Sequence, residues 1–110
     1  MIHIKQGDRR PVADITITRG SAGTPVDLSL ASSVTFKMRY RNRKTLKVNS
    51  AAVITNAVAG EVEYRWASGD TDTPGMYVAE WEVLWNDGTT ETFPTLNTDI
   101  VRIGGDLDNS

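Results

Sequence analysis

The sequence predicts an all-β protein, two antiparallel layers of short strands closed around one core, and three observations carry that prediction. Apolar residues recur at every second position in several stretches. Gly, Pro, Asn and Asp cluster between those stretches. No segment holds apolar residues at helical spacing over three turns. Alternation with one polar face describes half-solvated antiparallel sheets rather than parallel sheets covered on both sides.

Taken in order, strands are expected over residues 2–5, 12–18, 33–41, 46–55, 61–66, 76–85, 89–93 and 98–103, seven or eight in all. Ile15 and Ile17 alternate with Thr16 and Thr18, and Val34, Phe36, Met38 and Tyr40 with Thr35, Lys37, Arg39 and Arg41. Val62, Tyr64 and Trp66 alternate with Glu61, Glu63 and Arg65. Between them, Gly20 to Pro25 reads as a loop, Ala59-Gly60 as a turn and Gly69 to Gly75 as a longer corner. Asp87-Gly88 is a hairpin signal, because both residues tolerate positive φ. One domain is expected over 1–103, with 104–110 as a flexible C-terminal tail.

The corner before the strand at 76–85 narrows the architecture. Asp72-Thr73-Pro74-Gly75-Met76-Tyr77-Val78-Ala79 has the spacing of a tyrosine corner, in which a tyrosine hydroxyl bonds back to upstream backbone while its ring joins the core. This makes the expected fold an immunoglobulin-like β-sandwich. Ala79 stands where an antibody domain has its second cysteine, so no disulfide joins the layers. Phe36, Tyr64, Trp66, Tyr77 and Trp81 are the expected core rings, with Trp66 and Trp81 the candidates for its centre.

Composition removes whole classes of chemistry. The chain has 110 residues, 39% of them hydrophobic, which suffices for one core. There is no cysteine, which excludes thiolate metal sites and cysteine nucleophiles. The single histidine, His3, has no partner residues in a hydrolase motif, and no Gly-x-Ser-x-Gly elbow exists. The carboxylate pairs Glu61/Glu63 and Glu80/Glu82 alternate with core residues and are expected in water, where raised pKa values are hard to obtain. No signal-peptide core or membrane-spanning run is expected. No cofactor is implied, and the function expected is non-enzymatic.

Several landmarks fall together along the chain: Gln6-Gly7-Asp8 with Pro11; Pro25-Val26-Asp27-Leu28-Ser29 with Ala31; Val34-x-Phe36-x-Met38-Arg39; Gly60-x-Val62-x-Tyr64-x-Trp66; Asp70-Thr71-x-x-Pro74-Gly75-x-Tyr77-x-x-Glu80-Trp81; and Asp87-Gly88 before Thr92-Phe93-Pro94. Over residues 2 to 103 this order resembles the immunoglobulin-like N-terminal domain of tailed-phage baseplate upper proteins and related small virion accessory proteins. The resemblance implies a virion structural subunit, located in the virion after synthesis in the host cytoplasm. Its partners would be other virion proteins (capsid, tail or baseplate), with a homo-oligomer as a further option, and it implies no catalytic residues. Baseplate adaptors continue into a long segment beyond this domain, so a chain ending at Ser110 is expected to be a stand-alone head decoration (cement) protein or a neck or tail fitting.

Net charge is −2, but the halves differ sharply. Residues 1–55 hold ten of the twelve Lys and Arg and three acids, whereas residues 56–110 hold two Arg and eleven acids. The candidate partner-binding residues are Arg39, Arg41, Arg43, Lys44 and Lys47, on a strand end and loop that would meet an acidic surface of a neighbouring subunit or of another copy. Lys37 and Arg39 are expected to pair across strands with Glu80 and Glu82. The same run suggests phosphate contacts, but the negative whole-chain charge and the inward parity of Tyr40 argue against nucleic acid. Asp70 and Asp72 copy the opening of a calcium loop and are the weak metal candidates, with Asp106 and Asp108 as further oxygens and the distal glutamate missing. The alternative functions are therefore a carbohydrate-binding module, which would need open rings (Trp85 the first to inspect), and a calcium-dependent adhesion module.

Overall fold

The computed structural model describes residues 2–20, 22–94 and 100–105, and the chain is all-β over them, with no helix. Eleven strands occur among the described residues: β1 (Ile2–Lys5), β2 (Ala13–Thr16), β3 (Thr18–Arg19), β4 (Thr24–Pro25), β5 (Ala31–Tyr40), β6 (Leu46–Ala51), β7 (Val53–Asn56), β8 (Glu61–Tyr64), β9 (Gly75–Trp85), β10 (Thr90–Pro94) and β11 (Ile100–Gly104). The larger sheet runs β1-β11-β9-β5-β6, with β10 also paired to β9. The smaller runs β2-β8-β7, and β3-β4 form a separate two-stranded ribbon. Residues 98 and 99 of the last expected strand lie outside the described residues, as do 106–110 of the expected tail. Gly104 is paired with Lys5 at the end of β11.

The differences from the expected strands have local causes. Residues 12–18 divide at Ile17, which leaves the ladder to donate its N–H to Gly60 (2.8 Å) and accept from Val26 (2.9 Å), its side chain buried. Residues 46–55 divide at Ala52, where the chain crosses from one sheet to the other and the Ala52 N–H bonds to Val34. The strand expected to reach Trp66 stops at Tyr64; Trp66 continues inward and its indole donates to the Pro11 carbonyl at 3.0 Å. Pairing is not wholly antiparallel, because β1 runs parallel to β11. That pairing needs no tight turn, since the two strands come from opposite ends of the chain. At the β9–β10 hairpin no non-glycine residue has positive φ, and Gly88 alone does so, at +87°. The loop is a turn followed by a left-handed glycine, so only one of the two residues of Asp87-Gly88 takes the positive φ that both tolerate.

One hydrophobic cluster takes side chains from both larger sheets, including Ala13, Val62 and Tyr64 from one and Val34, Phe36, Met38, Trp81 and Val83 from the other. Phe36, Trp66, Tyr77 and Trp81 are essentially inaccessible, and Tyr64 nearly so. Phe36 stacks on Tyr64 across the layers with ring centroids 4.7 Å apart, and Trp66 meets both edge-on. Each such ring contributes about 2–3 kcal/mol by leaving water, so these contacts fix the spacing of the sheets. At the corner, the Tyr77 hydroxyl donates to the Thr73 carbonyl at 2.6 Å while its ring is buried.

Candidate docking site

The candidate site is one pole of the molecule, built where β5 turns into β6. Alternation along β5 buries Val34, Phe36 and Met38 and turns Lys37 and Arg39 outward. Past Tyr40 the chain leaves the ladder: the Arg41 N–H bonds to Met76 at 3.1 Å, and the Arg43 N–H to Tyr40 at 3.1 Å, closing a turn. The Arg39 guanidinium folds over this turn and donates through Nη1 to the carbonyls of Arg43 (2.7 Å), Tyr40 (3.2 Å) and Arg41 (3.3 Å). A charged donor is well suited to gather several backbone oxygens at the end of a ladder. Arg39 is therefore spent on holding the loop, which corrects its expected pairing with the β9 glutamates.

The other basic residues divide into two groups. Arg41, Arg43 and Lys44 are exposed. The Arg43 guanidinium lies 5.4 Å from the Tyr40 ring centre, and Tyr40 in turn stacks on Tyr77 at 4.5 Å. Tyr40 is half-buried, so its parity leads it to the core margin. Together Tyr40, Arg41, Asn42, Arg43 and Met76 line an open cleft of about 660 Å³, polar and apolar in nearly equal parts and cationic through Arg41 and Arg43. Lys47, by contrast, is paired: its Nζ sits 2.5 Å from Asp72 Oδ1.

Asp70 and Asp72 are engaged separately. Asp70 accepts from the Tyr64 hydroxyl and from the Ala67 N–H at 2.8 Å. Asp72 accepts from Lys47 and from the Thr73 hydroxyl at 2.9 Å, and these bonds hold its carboxyl below the usual range, Lys47 contributing most. Among the described residues, no three His, Asp or Glu side chains converge as metal ligands. Burial, and then Asp70, push the Tyr64 phenol up to about 12.

Elsewhere, side chains considered for chemistry lie apart. His3 is exposed on β1. Glu82 pairs with Lys37 at 3.1 Å, diagonally, since Lys37 stands opposite Glu80 in the ladder. Glu63 accepts from Arg65 at 2.6 Å. Trp66 and Trp81 offer no ring face to solvent, and half-buried Trp85 donates to Glu91 at 3.3 Å.

Tertiary contacts add residues to the pole that no local pattern assigns there. The Gly7 N–H bonds to Thr71 (2.9 Å), the Thr71 hydroxyl to Asp8 (2.7 Å) and the Gln6 amide to the Asp72 carbonyl (2.9 Å). These bonds bring Lys5, Arg9 and Arg10 to the same end, with Arg9 donating to the Trp66 carbonyl at 2.8 Å. Arg9 and Arg10 are more than thirty residues from Arg41, so only the meeting of Gln6-Gly7-Asp8 with the 70–75 corner signals their place. Compared with known proteins, the chain matches no family model, and no curated protein matches it as a relative.

Proposed function

We propose that this chain is a non-enzymatic structural subunit of a phage virion that docks on other virion proteins through its basic pole. The single observation that carries the docking role is the exposed set Arg41, Arg43 and Lys44, held out on a loop that Arg39 braces from behind. A loop braced by its own guanidinium presents its remaining charges with little ordering cost on binding. Such charges recruit a partner of opposite sign by steering, and buried apolar contacts beside them add affinity. In this role the protein is a head decoration subunit or a tail, baseplate or neck accessory.

The fold we infer is an immunoglobulin-like β-sandwich. In support, β9, β5 and the β10/β11 segments share one sheet with β1 and β6, while β2, β8 and β7 form the other. That partition corresponds to strands C, F and G opposite B, E and D, with Tyr77 as the tyrosine corner of strand F. The meeting of Gln6-Gly7-Asp8 with Asp70-Thr71 also joins two of the landmarks on which the virion resemblance rests. The buried Trp66 and Trp81 weigh against a glycan platform.

The test is the triple variant Arg41→Glu, Arg43→Glu, Lys44→Glu, counted by quantitative mass spectrometry in purified particles alongside the unaltered chain. The expected result is a folded variant with copies per particle reduced at least tenfold. Undiminished incorporation at low and moderate salt overturns the proposal.

A further inference from the structure

The opposite end of the molecule is the converse of the basic pole in both charge and shape. β5 runs ten residues from Ala31 to Tyr40, about 30 Å of extended chain, in a molecule whose longest dimension is 47 Å. At its Ala31 end three connections are tied together. The Leu28 N–H bonds to Ala57 (2.8 Å), the Asn86 N–H to Leu30 (2.9 Å), and the Ser32 hydroxyl to the Asn86 side chain (2.7 Å). Glu61, at the start of β8, and Asp27 and Asp87, in the loops, are exposed there and have no ion-pair partner among the described residues. The basic residue there, Arg19, is occupied by Glu91 at 2.5 Å and lies over Phe93. Asp27 and Asp87 each accept from a neighbouring hydroxyl and backbone N–H (Ser29 and Thr89), which lowers their pKa and keeps them charged into mild acid.

Two apolar side chains stand out at this acidic end. Leu30 occupies the third position of the turn closed by Ala31 N–H to Leu28, and Val58 the second position of the turn closed by Gly60 N–H to Ala57. Turns usually take Gly, Pro, Asn, Asp or Ser at such places, because those residues suit the backbone or bond to it. Here Leu30 is 70% exposed and Val58 72%. At the other pole the charge balance is reversed: segments 5–11, 41–47 and 65–75 carry eight Lys and Arg against three Asp.

We propose that the basic pole of one copy receives the acidic pole of a second copy of this chain. The exposed Leu30 turn meets the cleft beside the 40–43 turn, and Asp27 and Asp87 face Arg41 and Arg43. The occupant is argued from charge complementarity: an exposed turn flanked by the carboxylates of Asp27 and Asp87 meets a cleft flanked by the guanidinium groups of Arg41 and Arg43. Such a contact is heterologous, so it closes into a ring or continues as a filament. The inference rests on the docking reading and names its partner.

Sedimentation velocity on the purified full chain tests it, from micromolar to millimolar concentration at 50 and 300 mM salt. The expected result is a mass that rises with concentration and falls with salt. Two variants then decide the geometry. Arg41→Glu/Arg43→Glu reverses the charge at the cleft, and Asp27→Lys/Asp87→Lys reverses the charge beside the Leu30 turn. Each alone is expected to stay monomeric, and an equimolar mixture to regain association. Leu30→Ser is expected to weaken self-association about tenfold or more, the scale of losing one buried leucine. A chain monomeric under all conditions, or a mixture that stays monomeric, overturns the inference. If that chain is still counted in particles, and the triple glutamate variant is not, the docking reading survives and only the self-partner falls.

Discussion

Lys47 Nζ and Asp72 Oδ1 lie 2.5 Å apart, joining edge strand β6 to the corner that precedes β9. The pair cancels a charge from each of two surfaces that the sequence suggested separately, a basic docking run and a calcium loop. The Asp72 side chain is well exposed, so the pair is screened by water and its worth is small. Lys47→Ala and Asp72→Asn are each expected to leave the urea denaturation midpoint nearly unchanged. Millimolar calcium should leave the melting temperature where an equal ionic strength of sodium chloride leaves it. A rise that a chelator reverses would restore Asp70 and Asp72 as ligands.

Gly60 and Gly88 both have positive φ, +72° and +87°, but sit in opposite surroundings. A Cβ on Gly60 would come within 2.6 Å of the Val26 carbonyl oxygen and 3.0 Å of that of Ile17, whereas at Gly88 the space is open. Backbone oxygens cannot step aside as a flexible side chain can. Gly88→Ala should therefore cost only the conformational penalty, about 1–2 kcal/mol. Gly60→Ala adds overpacking against Val26 and Ile17, about 3 kcal/mol or more in total. Comparison of urea midpoints checks this, and equal losses at the two sites would refute it.

Much of this fold could be read from alternation and punctuation, because a two-residue period on a half-buried strand writes its facing directly into the sequence. Val34-Phe36-Met38 and Tyr77-Ala79-Trp81-Val83 are such cases. What escaped were events decided by contacts far along the chain. Ile17 leaves its strand because Gly60 and Val26 supply its bonds, and Ala52 changes sheets because Val34 takes its N–H. The parallel pairing of β1 with β11 joins residues about a hundred positions apart and has no local signature. The candidate site was legible as a run of charge, but its internal division was not. Nothing local says that Arg39 turns back on three carbonyls or that Lys47 finds Asp72, while Arg41, Arg43 and Lys44 stay exposed.

The tyrosine corner makes a prediction with an internal control. Tyr77 donates to the Thr73 carbonyl at 2.6 Å, whereas the neighbouring Tyr40 hydroxyl is 3.5 Å from the Pro74 carbonyl, at the limit of a useful bond. The two rings stack on each other, so replacement by phenylalanine preserves the packing of both. Tyr77→Phe should lose about 1 kcal/mol or slightly more, and Tyr40→Phe less than that, since it gives up only the long contact to Pro74 and the interaction with the Tyr77 hydroxyl. The slope of unfolding against urea should stay the same in both, because neither changes the surface exposed. Equal costs would mean that the hydroxyl bond does not hold the corner.

Tyr64 links the core to alkaline pH. Its phenol is pushed up from 10.0 to about 12, first by burial and then by the hydrogen bond and charge of Asp70. The folded protein thus holds this proton more tightly than the unfolded chain does. The resulting stability is complete below pH 10 and is lost as pH rises from about 10 to 12. Holding the proton that much more tightly corresponds to a loss on the order of 3 kcal/mol across the window. Urea midpoints taken every half unit from pH 8 to 12 should show the decline, with phenolate absorbance appearing as the chain unfolds. Tyr64→Phe should make the decline shallower over the same window, the remainder belonging to Tyr77, whose buried phenol is also pushed up, while lowering stability at neutral pH, where the bond to Asp70 is lost. Asp70→Asn should keep part of the decline, because burial is the larger cause. A Tyr64→Phe curve that still falls as steeply between pH 10 and 12 would show that this phenol is not what the alkaline limit titrates.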